Sequence, residues 1–208
     1  MLTNFRAIDM RPSIGDFLSD VIKGLSDHPK QLSPKYCYDE IGSHYFEQIT
    51  QTDEYYVTRI ETQILENLAP LDLGDAENIA VIDLGGASAQ KFRLLMPAVK
   101  NLKRYVPVDI SKEELFRASE NFAREFPDLQ VTAVCADYQM LQDLDWPLIL
   151  GDATPLVFFP GSTLGNLSPA DAVSILSACR TIAGTGGYLL LGCDLLKDPA
   201  GMRATYAD

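Results

Sequence analysis

Basic side chains are scarce in this sequence. Its 208 residues include 17 lysines and arginines against 29 aspartates and glutamates, which gives a formal net charge of −12. A surface of that sign repels phosphate backbones, and no run of basic residues offsets it. The composition therefore argues against nucleic acid as a partner.

Side chains that bind metals are also few, with two histidines and four cysteines. No two cysteines form a CxxC pair, so the spacing predicts no zinc site and no other metal site. Cys135 and Cys193 stand inside apolar runs and are predicted to be buried as small hydrophobic residues. Reduced thiols are the simplest account of this pattern and favour a cytoplasmic location.

Long apolar segments are missing as well. No stretch approaches the roughly 20 residues that cross a bilayer, so no membrane partner is expected. The first residues include Asp9 and Asp16 in place of the apolar core of a signal peptide. With 47% hydrophobic and 22% charged residues, the chain has the composition of a globular protein that can bury a core without disulfides or metals.

The first 75 residues have helical spacing and no strong β-run. Their pattern predicts three helices, at Ile14 to Leu25, Gly42 to Ile49, and Thr58 to Leu68. Pro70 ends the last of these, whose expected apolar face consists of Ile60, Ile64, Leu65 and Leu68. We therefore predict a helical segment over residues 1–75.

From residue 78 onward the pattern alternates between strand and helix. Five apolar runs are predicted strands: Ile79 to Leu84, Tyr105 to Asp109, Leu129 to Cys135, Leu156 to Phe159, and Tyr188 to Gly192. Continuous apolar strands separated by helices indicate a parallel sheet covered on both faces, and right-handed crossovers make it doubly wound. The predicted fold of residues 76–208 is a Rossmann-like α/β domain with strand order 3-2-1-4-5.

A pair of glycines, Gly85 and Gly86, follows the first of these strands and precedes a helix. Glycine lets a ligand approach the backbone closely, and the helix N-terminus offers unpaired N–H groups. The turn departs from the GxGxxG spacing of dinucleotide dehydrogenases, because Ala87 and Gln90 occupy its third and last positions. We predict a nucleotide-like ligand here, with an ordinary strand–helix turn as the alternative.

Acidic residues end the next two predicted strands. Asp109 is placed to accept the two hydroxyls of a ribose, an arrangement that suits NAD and S-adenosylmethionine equally. Asp137 and Tyr138 can hold an adenine, through its amino group and its ring face respectively. A solvated loop aspartate beside a surface tyrosine is the alternative interpretation of that pair.

The segment from Phe159 to Pro169 follows the fourth predicted strand, at the sheet edge where reacting groups are expected. Its glycines, hydroxyl residues and Asn166, which we expect to be buried, suit a loop that orients a polar substrate. Ser168 and Pro169 also match the start of a helix. Tyrosines from irregular segments often line sites, and several aromatic residues occur near the N-terminus: Tyr36, Tyr38, Tyr45, Phe46, Tyr55 and Tyr56.

Taken in order, these segments resemble the L-histidine Nα-methyltransferase family. The resemblance is carried by Pro34 to Ser43, Phe46 to Thr50, Glu54 to Arg59, Gly85 to Lys91, Val108 to Asp109, Ala136 to Tyr138, Gly161 to Asn166, and Gly192 to Asp198. It extends from about residue 30 to the last residue, and the joint occurrence is far more specific than any one segment.

The resemblance implies transfer of methyl groups from S-adenosylmethionine to the α-amine of histidine, giving hercynine on the way to ergothioneine. It implies that Gly85, Lys91, Asp109, Asp137 and Tyr138 hold the cofactor. It also implies that Tyr38, Tyr55, Asn166 and Tyr206 line the amino-acid pocket, so that residues 1–75 recognise substrate. Family members need no residue as a covalent or acid–base catalyst, and related enzymes methylate other aromatic amino acids.

The sequence departs from the family in two places. The glycine turn has Gly86 and Ala87 where the family usually has Ser and Gly, and no acid precedes Lys91. Family members also continue beyond Asp208 with further strands and with residues that bind the imidazole. We therefore expect weak or absent histidine methylation by this chain, and either self-association through an open edge strand at residues 187–193 or ready aggregation.

Two other classes of protein remain open from the sequence. A non-catalytic binding domain with a methyltransferase-like fold would keep the glycine turn without turnover. An NAD-dependent oxidoreductase is disfavoured by the glycine spacing.

Overall fold

The computed structural model describes residues 2–12, 15–33, 36, 40–53 and 55–195. These residues form two compact units. The first unit contains the residues up to Arg11 and those from Val57 onward, and the second extends from Pro12 to Tyr56. The predicted division at residue 75 into a substrate-recognition segment and a cofactor domain concerns the roles of the two segments, and it stays a prediction.

A six-stranded parallel sheet forms the framework of the first unit. Its strands are β1 (Phe5–Asp9), β2 (Ile79–Leu84), β3 (Leu102–Asp109), β4 (Gln130–Cys135), β5 (Thr154–Phe159) and β6 (Tyr188–Leu191). The order across the sheet is β1-β4-β3-β2-β5-β6. The five strands from β2 to β6 therefore have the predicted order 3-2-1-4-5, and the predicted Rossmann-like α/β class is confirmed.

Strand β1 corrects the expectation that the first 75 residues contain no strand. It pairs with the outer edge of β4, and most of its side chains are at least partly exposed. Such a strand has no continuous apolar run for a sequence pattern to detect. Asn4 anchors its start, because the buried side-chain amide donates to the backbone carbonyls of Ala123, Phe126 and Leu129 at 2.9, 3.2 and 3.0 Å.

Both faces of the sheet are covered, as the apolar strands predict. Every residue of β2 is buried, and alternate residues enter two different cores. Ile82 belongs to the core on one face, together with Trp146 and Ile175. Val81 belongs to the core on the other face, together with Phe92 and Phe122. Helices on both faces make the sheet doubly wound.

Seven α-helices accompany the strands in the described residues: α1 (Phe17–Ser26), α2 (Glu40–Ile49), α3 (Val57–Glu66), α4 (Gln90–Leu95), α5 (Lys112–Glu125), α6 (Trp146–Leu150) and α7 (Pro169–Ala183). The start of α7 is as predicted, since the Ser168 hydroxyl accepts from Asp171 N at 3.2 Å and Pro169 occupies the first turn. The predicted apolar face of α3 is half right. Leu65 is buried and Leu68 is partly buried, whereas Ile60 and Ile64 are exposed.

Helices α1 and α2 belong to the second unit. Helix α1 begins at Asp16, whose carboxylate accepts from Leu18 N and Ser19 N at 3.2 and 3.4 Å. The Tyr36 ring lies edge-on to Phe17, with ring centroids 4.9 Å apart. Phe46 and Tyr55 form a second edge-on ring pair in this unit, with centroids 5.9 Å apart.

The two cysteines that were predicted to be buried differ in the structure. Cys135 is buried as expected. Cys193 is exposed, so its predicted burial is wrong, because it lies beyond the end of β6. Strand β6 pairs with β5 and forms an edge of the sheet in the described residues. Self-association through residues 187–193 stays a prediction.

Membrane association can be assessed for the part of the chain that the structure describes. Each helix there falls short of the length and apolar character that a membrane crossing requires.

Candidate active site

The glycine turn after β2 has the backbone geometry that its sequence predicts. Gly85 has φ +85°, a conformation that side chains with a Cβ rarely adopt. Its N–H and that of Gly86 both point to the carbonyl of Val108 in β3, at 2.9 and 3.4 Å. A Cβ on Gly85 would lie 3.1 Å from the Tyr138 hydroxyl, so glycine keeps the space in front of that hydroxyl open.

A buried carboxylate lies directly beneath this turn. Asp83 is 2% exposed, and its Oδ2 accepts a hydrogen bond from the Tyr105 hydroxyl at 3.0 Å. Its Oδ1 is also buried and has no hydrogen-bond partner among the described residues. A Cβ on Gly86 would lie 2.6 Å from Oδ2, so this acid fits only beneath a glycine.

Burial changes the acidity of this group. The pKa of Asp83 is raised to about 7, mainly because burial desolvates the carboxylate. The hydrogen bond from Tyr105 and the charge of Lys91 lower this pKa, whereas the charge of Asp109 raises it. Asp83 therefore changes charge near neutral pH. Sequence reasoning did not single it out, although an acid inside an otherwise apolar strand is a detectable signal.

Asp109 ends β3, and Asp137 follows the end of β4. A backbone hydrogen bond holds the two strand ends together, since Ala136 N donates to Asp109 O at 3.1 Å. Each carboxylate also accepts a bond from a backbone N–H two residues later. Asp109 accepts from Ser111 N at 2.8 Å, and Asp137 accepts from Gln139 N at 3.0 Å. The structure thus brings Gly85, Asp109 and Asp137 to the carboxyl edge of three neighbouring strands.

Tyr138 completes this edge. Its partly exposed ring lies edge-on to that of Phe159, the last residue of β5, with centroids 5.5 Å apart. An aromatic face held next to an open glycine turn can pack against a flat ligand.

The loop after β5 is tightly shaped. Gly161 and Ser162 both have positive φ, at +86° and +55°. The Ser162 hydroxyl donates to the Asp194 carboxylate and accepts from Asp194 N at 3.1 Å. Asn166 ends the 3₁₀ turn 163–166 and is exposed, so its expected burial is wrong: the turn lies at the surface just before α7.

Lys91 extends from α4 toward this loop. Its ammonium lies 2.6 Å from Glu61 Oε2, and Glu61 Oε1 accepts a hydrogen bond from Gly161 N at 2.6 Å. Sequence reasoning missed Glu61, because apolar spacing selects only hydrophobic residues, although Glu61 stands one turn before the buried Leu65 of the predicted face.

The residues that were predicted to line the amino-acid pocket fall in different units or outside the described residues. Tyr38 and Tyr206 lie outside the described residues. Tyr55 is buried in the second unit, where its ring lies edge-on to Phe46 with centroids 5.9 Å apart. An amino-acid pocket lined by Tyr38, Tyr55, Asn166 and Tyr206 stays a prediction.

Comparison with known proteins adds two relatives and one structure. Over 192 residues the chain is 37% identical to the histidine N-alpha-methyltransferase of Mycolicibacterium smegmatis, an alignment that covers 91% of this chain and 59% of that protein. It is 28% identical to ergothioneine biosynthesis protein 1 of Neurospora crassa, with 88% of this chain and 21% of that protein covered. The fold matches a Thermobifida fusca structure described as a methyltransferase, with TM-score 0.56, 18% identity, and coverage of 92% and 70%.

The chain thus spans 59% of the length of the mycobacterial relative. Its residues 17–208 match the family described as histidine-specific methyltransferases that depend on S-adenosylmethionine. That match includes the glycine turn, both acidic strand ends and the loop after β5. The chain belongs to this family of S-adenosylmethionine-dependent, histidine-specific methyltransferases.

Proposed function

We propose that this chain transfers methyl groups from S-adenosylmethionine to the α-amine of L-histidine, the reaction that yields hercynine in ergothioneine synthesis. The observation that carries the proposal is the family match over residues 17–208, which contains the whole carboxyl edge of β2, β3 and β4. Ligands of open α/β sheets bind at this edge.

The residues at the edge fit the cofactor. Gly85 leaves open a space that a Cβ would fill, in front of the Tyr138 hydroxyl. We assign the backbone of Gly85 to close contact with the cofactor, the Asp109 carboxylate to the ribose hydroxyls, and Asp137 with Tyr138 to the adenine. Asp109 and Asp137 each accept one hydrogen bond from a local N–H, and a carboxylate can accept several further bonds.

The chemistry asks for alignment more than for acid–base catalysis. S-adenosylmethionine supplies an electrophilic methyl group that a neutral amine attacks. The chain's own residues must hold the amine in line, with reacting atoms about 3–3.5 Å apart. By the family resemblance, Tyr38, Tyr55, Asn166 and Tyr206 bind the amino acid, and tyrosine faces can contact the cationic product. No side chain of this site is assigned as a covalent nucleophile.

Two measurements test the proposal. The first is calorimetric titration of the chain with S-adenosylmethionine and, separately, with NAD. We expect saturable binding of S-adenosylmethionine only. Binding of NAD alone would replace the proposal with an oxidoreductase.

The second measurement is mass spectrometry of histidine and tryptophan incubated with the chain and S-adenosylmethionine. We expect methylated histidine. Binding of the cofactor without methylation of histidine, but with methylation of tryptophan, would move the acceptor to another aromatic amino acid. Binding without methylation of either would favour a non-catalytic domain.

A further inference from the structure

Glu61 is a carboxylate that connects two parts of the candidate site. It lies on α3, and 14% of its side chain is exposed. One oxygen, Oε2, is 2.6 Å from Lys91 Nζ on α4, the helix that follows the glycine turn. The other, Oε1, accepts from the backbone N–H of Gly161, 100 residues away in the sequence. Each oxygen therefore has its own charged or polar partner.

The backbone around Glu61 is shaped to accommodate it. A Cβ on Gly192 would overlap Glu61 Oε1, and it would also lie 3.0 Å from the Cα of Pro160. A Cβ on Gly161 would lie 3.0 Å from Lys91 Nζ. The two glycines also stand next to each other through Ser162 N, which donates to Gly192 O at 3.2 Å. Two glycines thus leave the space that this carboxylate and its ammonium partner occupy.

We infer that Glu61 is a positioning residue that fixes Lys91 and the turn 160–166 relative to each other, and so holds the cofactor side and the acceptor side of the site in register. This inference rests on the proposed function. Lys91 belongs to the predicted cofactor residues, and the turn carries Asn166, which is assigned to the acceptor. A carboxylate that forms an ion pair with Lys91 and accepts a hydrogen bond from Gly161 N orders both through one group.

The physical reason is the strength of charged hydrogen bonds in a partly buried place. Removal of the carboxylate leaves the Gly161 N–H without its acceptor and the Lys91 ammonium without its anion. The turn has positive φ at Gly161 and Ser162, so its shape depends on external bonds. Misalignment by a fraction of an ångström lowers turnover more than it lowers ground-state binding.

The experiment compares three variants of the chain. Glu61→Ala removes both bonds, and Glu61→Gln keeps an amide oxygen for Gly161 N–H while it removes the charge. Glu66→Gln is the matched control, because Glu66 ends the same helix and is exposed. Three quantities are measured for each: hydrogen exchange of peptides covering residues 160–166, the Kd for S-adenosylmethionine, and kcat and KM for histidine.

In Glu61→Ala we expect exchange over residues 160–166 to become at least about tenfold faster, and the Kd to rise at least about tenfold. In Glu61→Gln we expect exchange within about threefold of the unchanged chain, because the acceptor survives, but kcat lowered about tenfold with KM altered less than about threefold. Glu66→Gln should match the unchanged chain throughout. If Glu61 mattered only for stability, its substitution would lower the unfolding temperature but would not lower kcat while KM stayed nearly unchanged.

Combining Glu61→Gln with Lys91→Met sharpens the test. If the two residues act as one unit, the double variant is no worse than the poorer single variant. Strictly additive losses, or unchanged exchange in a folded Glu61→Ala, would overturn the inference; should Glu61→Ala not fold, Glu61→Gln decides it. If the unchanged chain binds no S-adenosylmethionine, the proposed function fails, whereas the exchange data still judge the link between Glu61 and the turn.

Discussion

Two layers of the candidate site differ in how their polar groups are bonded. The rim, made of Gly85, Asp109, Asp137 and Tyr138, is partly accessible, and its two carboxylates accept bonds from N–H groups two residues away. The buried pair beneath it, Asp83 and Tyr105, joins two strands through one hydrogen bond and is inaccessible. Locally bonded groups at an open edge can bind ligands, while groups bonded across strands support the edge.

This difference predicts that substitutions in the rim change ligand affinity, whereas substitutions in the buried pair change stability and its dependence on pH. The fold itself gives matched controls for both layers, since it repeats the same residue types away from the site.

The largest expected effect is that of Asp109→Ala on cofactor binding. If Asp109 accepts two ribose hydroxyls as proposed, its removal should weaken S-adenosylmethionine binding by about 1.5–3 kcal/mol, as loss of charged hydrogen bonds does. Calorimetry measures this, with Asp128→Ala as control, since Asp128 is an exposed acid just before β4, at the opposite edge. Equal affinities in folded Asp109→Ala and the unchanged chain would remove Asp109 from the cofactor site.

The next effect is that of Tyr105→Phe on stability. The substitution takes the hydrogen-bond donor from a buried carboxylate and should lower the free energy of unfolding by about 1–2 kcal/mol. Because the Tyr105 hydrogen bond lowers the pKa of Asp83, its loss moves that pKa further above 7, and the destabilisation should be greatest in alkaline buffer. Urea unfolding at several pH values measures both.

Tyr188→Phe is the control for that experiment, because Tyr188 stands on a strand but is only partly buried. A loss in Tyr105→Phe no larger than in Tyr188→Phe would contradict the structural role of the buried pair.

The third effect concerns pH and Asp83→Asn. Asp83 has a pKa of about 7 in the fold and an ordinary pKa of 3.8 when unfolded, so between those values the native state holds a proton that the unfolded state has released. Between those two values Asp83 therefore lowers the free energy of unfolding as pH rises, by at most about 1.4 kcal/mol per pH unit. The loss is complete above pH 7.

Asp83→Asn removes this contribution, so its stability should fall less steeply than that of the unchanged chain between pH 4 and 7. Thermal unfolding over that range compares the two slopes. Parallel curves would show that Asp83 keeps an ordinary acidity in the fold.

The smallest effect tests Asp137, which caps a turn and is proposed to bind the cofactor as well. Asp137 begins the 3₁₀ turn 138–143, so Asp137→Ala should lower stability by about 1 kcal/mol through the lost cap. Asp145→Ala removes a similar cap at α6, where Asp145 accepts from Leu148 N at 3.0 Å. Only Asp137→Ala should also weaken S-adenosylmethionine binding; equal cofactor affinity in the two variants would leave Asp137 with its cap alone.

Much of the fold could be predicted because its signals are local. The apolar runs of β2 to β6 identify a buried parallel sheet, and the glycine pair and Asp109 follow strand ends at fixed spacing. The edge strand β1 could not be predicted, since its exposed side chains carry no apolar pattern and β4 supplies its hydrogen-bond partners. Half of the predicted face of α3 was misjudged for a related reason. Apolar spacing includes Ile60 and Ile64, which are exposed, and passes over Glu61, whose carboxylate contacts neighbouring elements.

The sequence by itself determined the α/β class, the order of β2 to β6, the position of the glycine turn and the family resemblance, because periodicity and spacing are properties of neighbouring residues. Only the tertiary structure decided that Asp83 meets Tyr105 beneath that turn and that Glu61 joins Lys91 to Gly161. Those partners come from different strands and helices, and the crossovers of the sheet bring them together. Burial there removes water from the carboxylates, which is why their bonds and the acidity of Asp83 depend on the fold.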